Sequence, residues 1–407
     1  MTKNNSKERR IYFDWAACAP ETIRSRFSFI DGNPSSQHAE GRAAKLALES
    51  ARERAASVLN VPPESLYFTS GGTESNSIAL FSNLTRPGKG QVISSMGEHA
   101  SIREGMETLV KMGKSAGKIK IDSTGRVTRD TLKKALSQYD DTRFAAVMSV
   151  NNETGAVTDI ASLTEVMRNC KAPVHIHCDI VQAAGKIPVD LKKWDIDSAS
   201  ISAHKISGPR GIGLLYLRKP VEVFYSGGGQ ERGIRGGTEN TRGAAALADC
   251  LELAVKGSGD QRSAIEDRVS ACGRQEPYRM FSGVEDEYIR AKARWKKLIT
   301  SLLSIKRCTL IPKERTADDD RFSPYILQVA FNDIPGEVMA RALDDLGFAV
   351  STGSACSSSS PERPVLEAMG IDEKLRIEGI RISQGQSTTG EEIDLLLEGI
   401  SEVLRFL

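Results

Sequence analysis

What this 407-residue chain lacks narrows it before anything it contains does. No apolar run approaches the roughly 20 residues that a membrane-spanning helix needs, so no membrane partner is expected. The opening "MTKNNSKERRIYFDW" has no apolar segment of the secretory kind, and a cytoplasmic location is expected. An excess of one charge is missing too. A net charge of +2 gives no reason to expect nucleic acid or an anionic surface as a main partner. Cysteine is sparse and scattered, at positions 18, 170, 178, 250, 272, 308 and 356, with no CxxC pair. That excludes the usual spacing of a zinc site or a disulfide framework and fits reduced thiols. There is no internal repeat and no long low-complexity tract.

What is present is alternation. "LYFTS" (66–70), "QVISS" (91–95), "FAAVMSV" (144–150), "VHIHCDI" (174–180) and "SASIS" (198–202) read as buried strands, and 39–60 and 128–139 as amphipathic helices. The pattern predicts an α/β large domain over 11–256, with a mostly parallel sheet covered on both faces. In such sheets a site lies at the carboxyl ends of the strands, where loops meet helix N-termini. "VKGSGDQRS" (255–263) marks a boundary. The stretch to about 320 is charged and poorly patterned, with one helix expected near 288–304. A final α+β unit runs from "YILQVAF" through "GIRIS" to a last helix. It predicts a smaller C-terminal domain of 257–407 together with 1–10.

Three stretches carry chemistry. "FTSGGTESNSIAL" (68–80) is a strand, a glycine turn and a helix start, where free N–H groups and the helix dipole attract an anion. Ser70 and Thr73 add hydroxyls. Taken alone, this turn needs no more than a steric explanation. "HCDIVQ" puts Asp179 and Gln182 at a strand end, where a carboxylate suits either a protonated ring nitrogen or a helix N-cap. "SAHKISGPRGIG" places Lys205 beside His204 and ahead of a Gly-Pro turn, a poor place for an ordinary surface lysine. Lysine traps carbonyls when its surroundings lower its pKa. Together Asp179 and Lys205 suggest pyridoxal phosphate, which needs a Schiff-base lysine, a carboxylate on the ring nitrogen and a phosphate cup. His175 and His177 alternate on one strand and read as packing around Asp179, so no metal is expected. His38 reads as a cap.

The chain also resembles a known family. "YFDWAACAP", "GNPSSQHAEGRAA", "FTSGGTESN", "GEHASI", "VNNETGAV", "HCDIVQAAGKIPVD", "SAHKISGPRGIG", "GGGQERGIRGGTEN", "STGSACSS" and "IRIS" occur in this order. Together they resemble the cysteine desulfurases, class V relatives of the aminotransferases with the fold-type I architecture. The resemblance implies pyridoxal phosphate on Lys205, Asp179 on its ring nitrogen, Gln182 on its phenolic oxygen and His99 stacked on the ring. It implies Gly72, Thr73, Ser202 and His204 around the phosphate, and Thr238 reaching the phosphate of a partner subunit in a homodimer. Asn152 and Arg381 would clamp the carboxylate of L-cysteine, and Cys356 would be the catalytic thiol on a mobile loop.

On that footing the expected reaction turns L-cysteine into L-alanine. Cys356 becomes a persulfide that a sulfur-acceptor protein, an iron–sulfur scaffold or a tRNA-thiolation protein, would collect. A selenocysteine lyase, or a sulfur-relay protein without turnover, is the alternative. The other six cysteines are expected to be buried and inert. Three positions depart from the family pattern. Trp15 and Cys18 lie in "YFDWAACAP", and Gln384 stands where an apolar residue is common.

Overall fold

The computed structural model describes residues 10–21, 32–85, 90–257, 283–353 and 363–407. Along these segments run β1 (Ile11–Tyr12), α1 (Ala39–Leu59), β2 (Leu66–Thr69), α2 (Gly72–Thr85), β3 (Gln91–Ser95), α3 (Ala100–Lys111) and β4 (Ala116–Ile119). Next come α4 (Arg129–Gln138), β5 (Thr142–Met148), α5 (Ile160–Arg168), β6 (His175–Asp179), β7 (Ser198–Ser202), β8 (Gly213–Leu217) and α6 (Thr241–Lys256). The C-terminal part holds α7 (Val284–Leu303), β9 (Cys308–Ile311), β10 (Ile326–Phe331), α8 (Gly336–Asp345) and β11 (Phe348–Ala349). It ends with α9 (Pro364–Ala368), α10 (Glu373–Glu378), β12 (Gly379–Ser383) and α11 (Gly390–Phe406).

Seven strands form the main sheet in the order β2-β8-β7-β6-β5-β3-β4. All neighbours are parallel except at β8, which runs against both β2 and β7. The sheet is therefore mostly parallel, as the alternation predicts. Apolar residues from both of its faces are buried, among them Ile93, Val147, Ile176 and Ile201 in one cluster and Tyr67, Phe144 and Leu215 in another. Parallel β6 and β7 both deliver their C-terminal ends, Asp179 and Ser202, to the same edge of the sheet. The helix starts of α2 and α3 meet that edge.

A second core gathers Trp295, Leu298, Val329, Phe331, Ile380, Leu396 and Ile400 around an antiparallel sheet of order β12-β10-β9. Ile11 and Phe13, from the start of the chain, are buried in it, and β1 pairs in parallel with β11. The N-terminal segment thus ties the C-terminal core to the site, since Asp14 to Cys18 follow directly. His38 is the cap expected of it, accepting from Gly41 N at the start of α1.

The glycine-rich stretch around 227–238 has a fixed pivot. Glu231 and Arg232 adopt left-handed φ angles of 44° and 54°, which cost energy in residues with a Cβ. A buried ion pair holds them there. Arg52 Nη1 and Nη2 both donate to the Glu231 carboxylate at 2.8 Å, and Phe68 N donates to it at 2.8 Å.

Two departures from the family pattern are structural. Trp15 packs so closely on Gly385 that a Cβ there would lie 2.0 Å from the indole. Gln384 is buried, donating to the carbonyls of Ala291 and Pro324 and accepting from Arg294 Nε at 2.8 Å. The cysteine expectation needs correction. Cys178 and Cys250 are buried, but Cys18, Cys170 and Cys308 are half-buried, in a loop, past the end of α5 and at the start of edge strand β9. Burial still pushes the thiols of Cys170, Cys178, Cys250 and Cys308 up, so they stay protonated. Cys272 lies outside the described residues.

Candidate active site

The ends of β6 and β7, the first turns of α2 and α3 and the N-terminal loop close around a cavity of about 800 Å³. Its wall brings together Gly72, Thr73, His99, Asn152, Asp179, Gln182, Ser202, His204, Lys205 and Arg381. Two expected residues are not among them. Thr238 is exposed on the glycine-rich loop, and Cys356 lies outside the described residues.

One end of the cavity suits a phosphate. Gly72 and Thr73 open α2, where backbone N–H groups have no partner within the helix. A side chain at 72 is excluded, because its Cβ would lie 2.8 Å from Val181 Cγ2. Ser202 Oγ and His204 Nδ1 are 2.8 Å apart across the turn that follows β7. Burial, with Lys205 next, pulls His204 down to about 4, so it faces the cavity as a neutral imidazole. The residues present fit an anionic group here.

The floor is a buried carboxylate. Asp179 is 3 % exposed; its Oδ1 accepts from Val181 N at 2.9 Å and its Oδ2 from Asn76 Nδ2 at 2.8 Å. Both partners are donors, so the carboxylate is an acceptor, as a protonated ring nitrogen requires. Lys205 ends the short turn after β7, and its Nζ donates to the carbonyls of Ala16 and Ala17 at 2.6 Å each. Gln182 is held at both ends: Nε2 donates to Ala16 O at 2.9 Å, and Oε1 accepts from Lys186 Nζ at 2.8 Å. Lys186 is buried, and burial beside Lys205 pulls it down to about 7.

His99 caps α3, and Ser101 N donates to its Nδ1 at 3.1 Å. Nδ1 is therefore an acceptor, and the neutral ring carries its proton on Nε2. Arg381 is only partly available. Its Nη2 pairs with Asp14 Oδ1 at 2.7 Å, and its Nη1 donates to the carbonyls of Asn152 and Gly353 at 2.9 and 3.2 Å. Asn152 meets Arg381 through its main chain. Sequence reasoning assigned no role to Asp14, Asn76, Glu98 or Lys186, although each stands inside a quoted motif.

Glu98 lines the cavity from beneath, and burial, with Asp179 nearby, raises it to about 8. Ser95 Oγ and Met148 N both donate to its Oε1, at 2.6 and 2.7 Å. The folded protein thus holds a proton here that the unfolded chain releases near 4.5. Stability must fall as pH rises from 4.5 to about 8. Glu98→Gln, which keeps the acceptor and needs no proton, is expected to outlast the wild type increasingly between pH 6 and 8. Above pH 8 the gain should level off at a few kcal/mol, roughly the scale of such shifts. Thermal melts across pH check this; parallel curves would refute it.

Cys18, the remaining departure, sits behind the lysine, with Arg210 Nη2 3.3 Å from its Sγ. Among the described residues no group of three or more His, Cys, Asp or Glu is placed to hold a metal ion, and no helix is long and apolar enough to cross a membrane.

Comparisons with known proteins show what the chain is similar to. The class-V aminotransferase family model matches residues 11–275. The cysteine desulfurase IscS of Vibrio vulnificus (strain YJ016) is 33 % identical, over 96 % of this chain and 91 % of its own length. The mitochondrial cysteine desulfurase of Eremothecium gossypii is 34 % identical, over 98 % of this chain and 77 % of its own. Among solved structures, a NifS-like protein superposes with a TM-score of 0.82 at 32 % identity, covering 98 % of this chain and all of that one.

Proposed function

The chain belongs to the cysteine desulfurases of the class-V aminotransferase family, and on that premise we propose how its own residues convert L-cysteine to L-alanine with pyridoxal phosphate. The observation that carries the proposal is one cavity wall holding Lys205, Asp179, His99 and the Gly72–Thr73 helix start together. When bound, pyridoxal phosphate supplies a carbonyl that captures amines and a ring that withdraws electrons from the substrate Cα.

Around it the residues divide the work. Gly72, Thr73, Ser202 and His204 would hold the phosphate, and Asp179 would accept the ring N–H. Gln182 would meet the phenolic oxygen, and His99 would offer its Nε2–H for proton transfer. Lys205 Nζ would hold the cofactor and serve as the base for the substrate Cα proton. Arg381, three of whose five N–H donors meet Asp14, Asn152 and Gly353, would orient the substrate carboxylate together with Asn152. The Cys356 thiolate would then attack the substrate sulfur, the S–S bond of a persulfide forming as the Cβ–S bond breaks, and the electron pair left on the carbon skeleton would be protonated to give alanine.

The proposal extends to a homodimer in the cytoplasm, with a large domain over 11–256 and a smaller one over 257–407 with 1–10. Exposed Thr238, beyond the Arg52–Glu231 pivot, supports a loop that serves the partner's phosphate site. A sulfur-acceptor protein would take the persulfide onward.

Turnover tests the reading. Purified protein supplied with pyridoxal phosphate and L-cysteine is expected to release alanine and, with reductant, sulfide in equal amounts. Selenocysteine run in parallel separates a lyase for that substrate. Alanine from selenocysteine alone would overturn the assignment, and alanine from neither would favour a relay protein.

A further inference from the structure

We propose that Asn76 and His177 are positioning residues, the middle of a one-way chain of hydrogen bonds that fixes Asp179 as an acceptor and His99 as an Nε2–H donor. The proposal rests on the roles given above to Asp179 and His99.

Seven contacts define the chain. Asn76 Nδ2 donates to Asp179 Oδ2 at 2.8 Å and to Ser101 Oγ at 2.9 Å. Asn76 Oδ1 lies 2.9 Å from His177 Nε2, and His177 Nδ1 lies 2.8 Å from Ser198 Oγ. His175 Nε2 is 2.8 Å from the same hydroxyl. At the cavity end, His99 Nδ1 takes Ser101 N at 3.1 Å and Ser101 Oγ at 2.9 Å.

The direction of every bond follows from one carboxylate. Asp179 offers only lone pairs, so Asn76 must turn its amide nitrogen toward it and its oxygen toward His177. His177 is fully buried, and burial, then His175, holds it down at about 3, so its ring is neutral. With an oxygen facing Nε2, the single proton sits on Nε2, and Nδ1 accepts from the Ser198 hydroxyl. Ser200 Oγ, 3.4 Å from Nε2, can accept alongside Asn76 Oδ1. Ser198 then accepts from His175 Nε2–H. On the other branch, Ser101 accepts from Asn76, leaving its own proton for His99 Nδ1. Every proton points from β6 and β7 toward the cavity.

The lock is His177. If its proton moved to Nδ1, the Asn76 amide could turn over and present Oδ1 to Asp179. Two acceptors 2.8 Å apart need a proton between them, and Asp179 would carry it. It could then no longer accept from a ring N–H. The tautomer of a neutral histidine that does not line the cavity is thus coupled to the charge of the group beneath the cofactor.

The chain has five histidines, so the protonation pattern can be read directly. Full-length protein labelled with ¹⁵N-histidine, with and without pyridoxal phosphate, is examined by long-range ¹H–¹⁵N NMR, with single His→Gln variants for assignment. His99, His175 and His177 are each expected to carry the proton on Nε2 alone. His177 protonated on Nδ1, or on both nitrogens, overturns the proposal. His177→Leu, which cannot hold the amide, is expected to bind pyridoxal phosphate about tenfold or more weakly, the scale of one charge-assisted hydrogen bond. His177→Gln, which can donate, should recover most of that affinity. Equal affinity in the Leu variant overturns the positioning role, and if that variant fails to fold, the wild-type spectrum still decides. Cysteine turnover enters neither measurement. The expected spectrum and affinities in a protein that makes no alanine would sink the desulfurase reading and leave this one.

Discussion

Lys205→Ala is expected to purify without the yellow colour of the wild type and to lose alanine production by about 10³-fold or more. That is the upper part of the range for removing a positioned proton-transfer group, with loss of the anchoring amine added. The geometry argues for a chemical loss rather than unfolding. Lys205 lines the cavity, and its Nζ donates to the carbonyls of Ala16 and Ala17. One rival amine stands close by. Lys186 is buried and held down at about 7, which also favours a nucleophilic amine. Its Nζ, however, is spent on Gln182 Oε1, and it does not line the cavity. Borohydride reduction of the wild type, then peptide mapping, separates the two. Pyridoxyl on Lys205 is the expected result; pyridoxyl on Lys186 would overturn the assignment and make Lys205→Ala nearly silent.

Much of this arrangement is legible in the sequence, because a parallel sheet gives its strand ends a common direction. Asp179 and Ser202 fall at the ends of strands that the β-rich runs mark, and Gly72 falls where one helix pattern starts. β8 is harder to read. "GLLYL" is buried throughout, so it lacks the alternation that marks one face, and nothing local tells that it runs against its neighbours. The short β9 hides at the end of a charged stretch. What periodicity cannot supply is the partner of a buried polar group. Asn76 and Glu98 look like ordinary polar residues inside a motif until the fold places Asp179 next to them. Arg381 looks like a free clamp until Asp14, 367 positions away, closes on it. Such pairings are set by topology, and one strand of text does not carry topology.

The residue that most needs topology is the one the sequence makes most conspicuous. Cys356 stands in "STGSACSSSS", a run of small polar residues with little to pack. It lies outside the described residues, but its chain enters and leaves beside the cavity. Gly353, whose carbonyl accepts from Arg381, and Pro364 both line the wall. Were Cys356 merely a packing residue, Cys356→Ala would leave turnover nearly intact. As the sulfur acceptor, its loss should cut alanine and sulfide production by at least about 10²-fold. Cofactor binding and exchange of the substrate Cα proton should persist, since these need Lys205, Asp179 and Arg381 and not the thiol. Alkylating the wild type should reproduce the stall, because a blocked sulfur cannot become the attacking thiolate. Mass spectrometry after a cysteine pulse, before any reductant, should find one extra sulfur on the peptide holding Cys356. An unmodified Cys356 in protein still making alanine would refute the thiol's role. The Lys205 site would stand, and the sulfur would have to leave directly to solvent or to another thiol, of which Cys18, half-buried and bonded to Arg210, is the first to test.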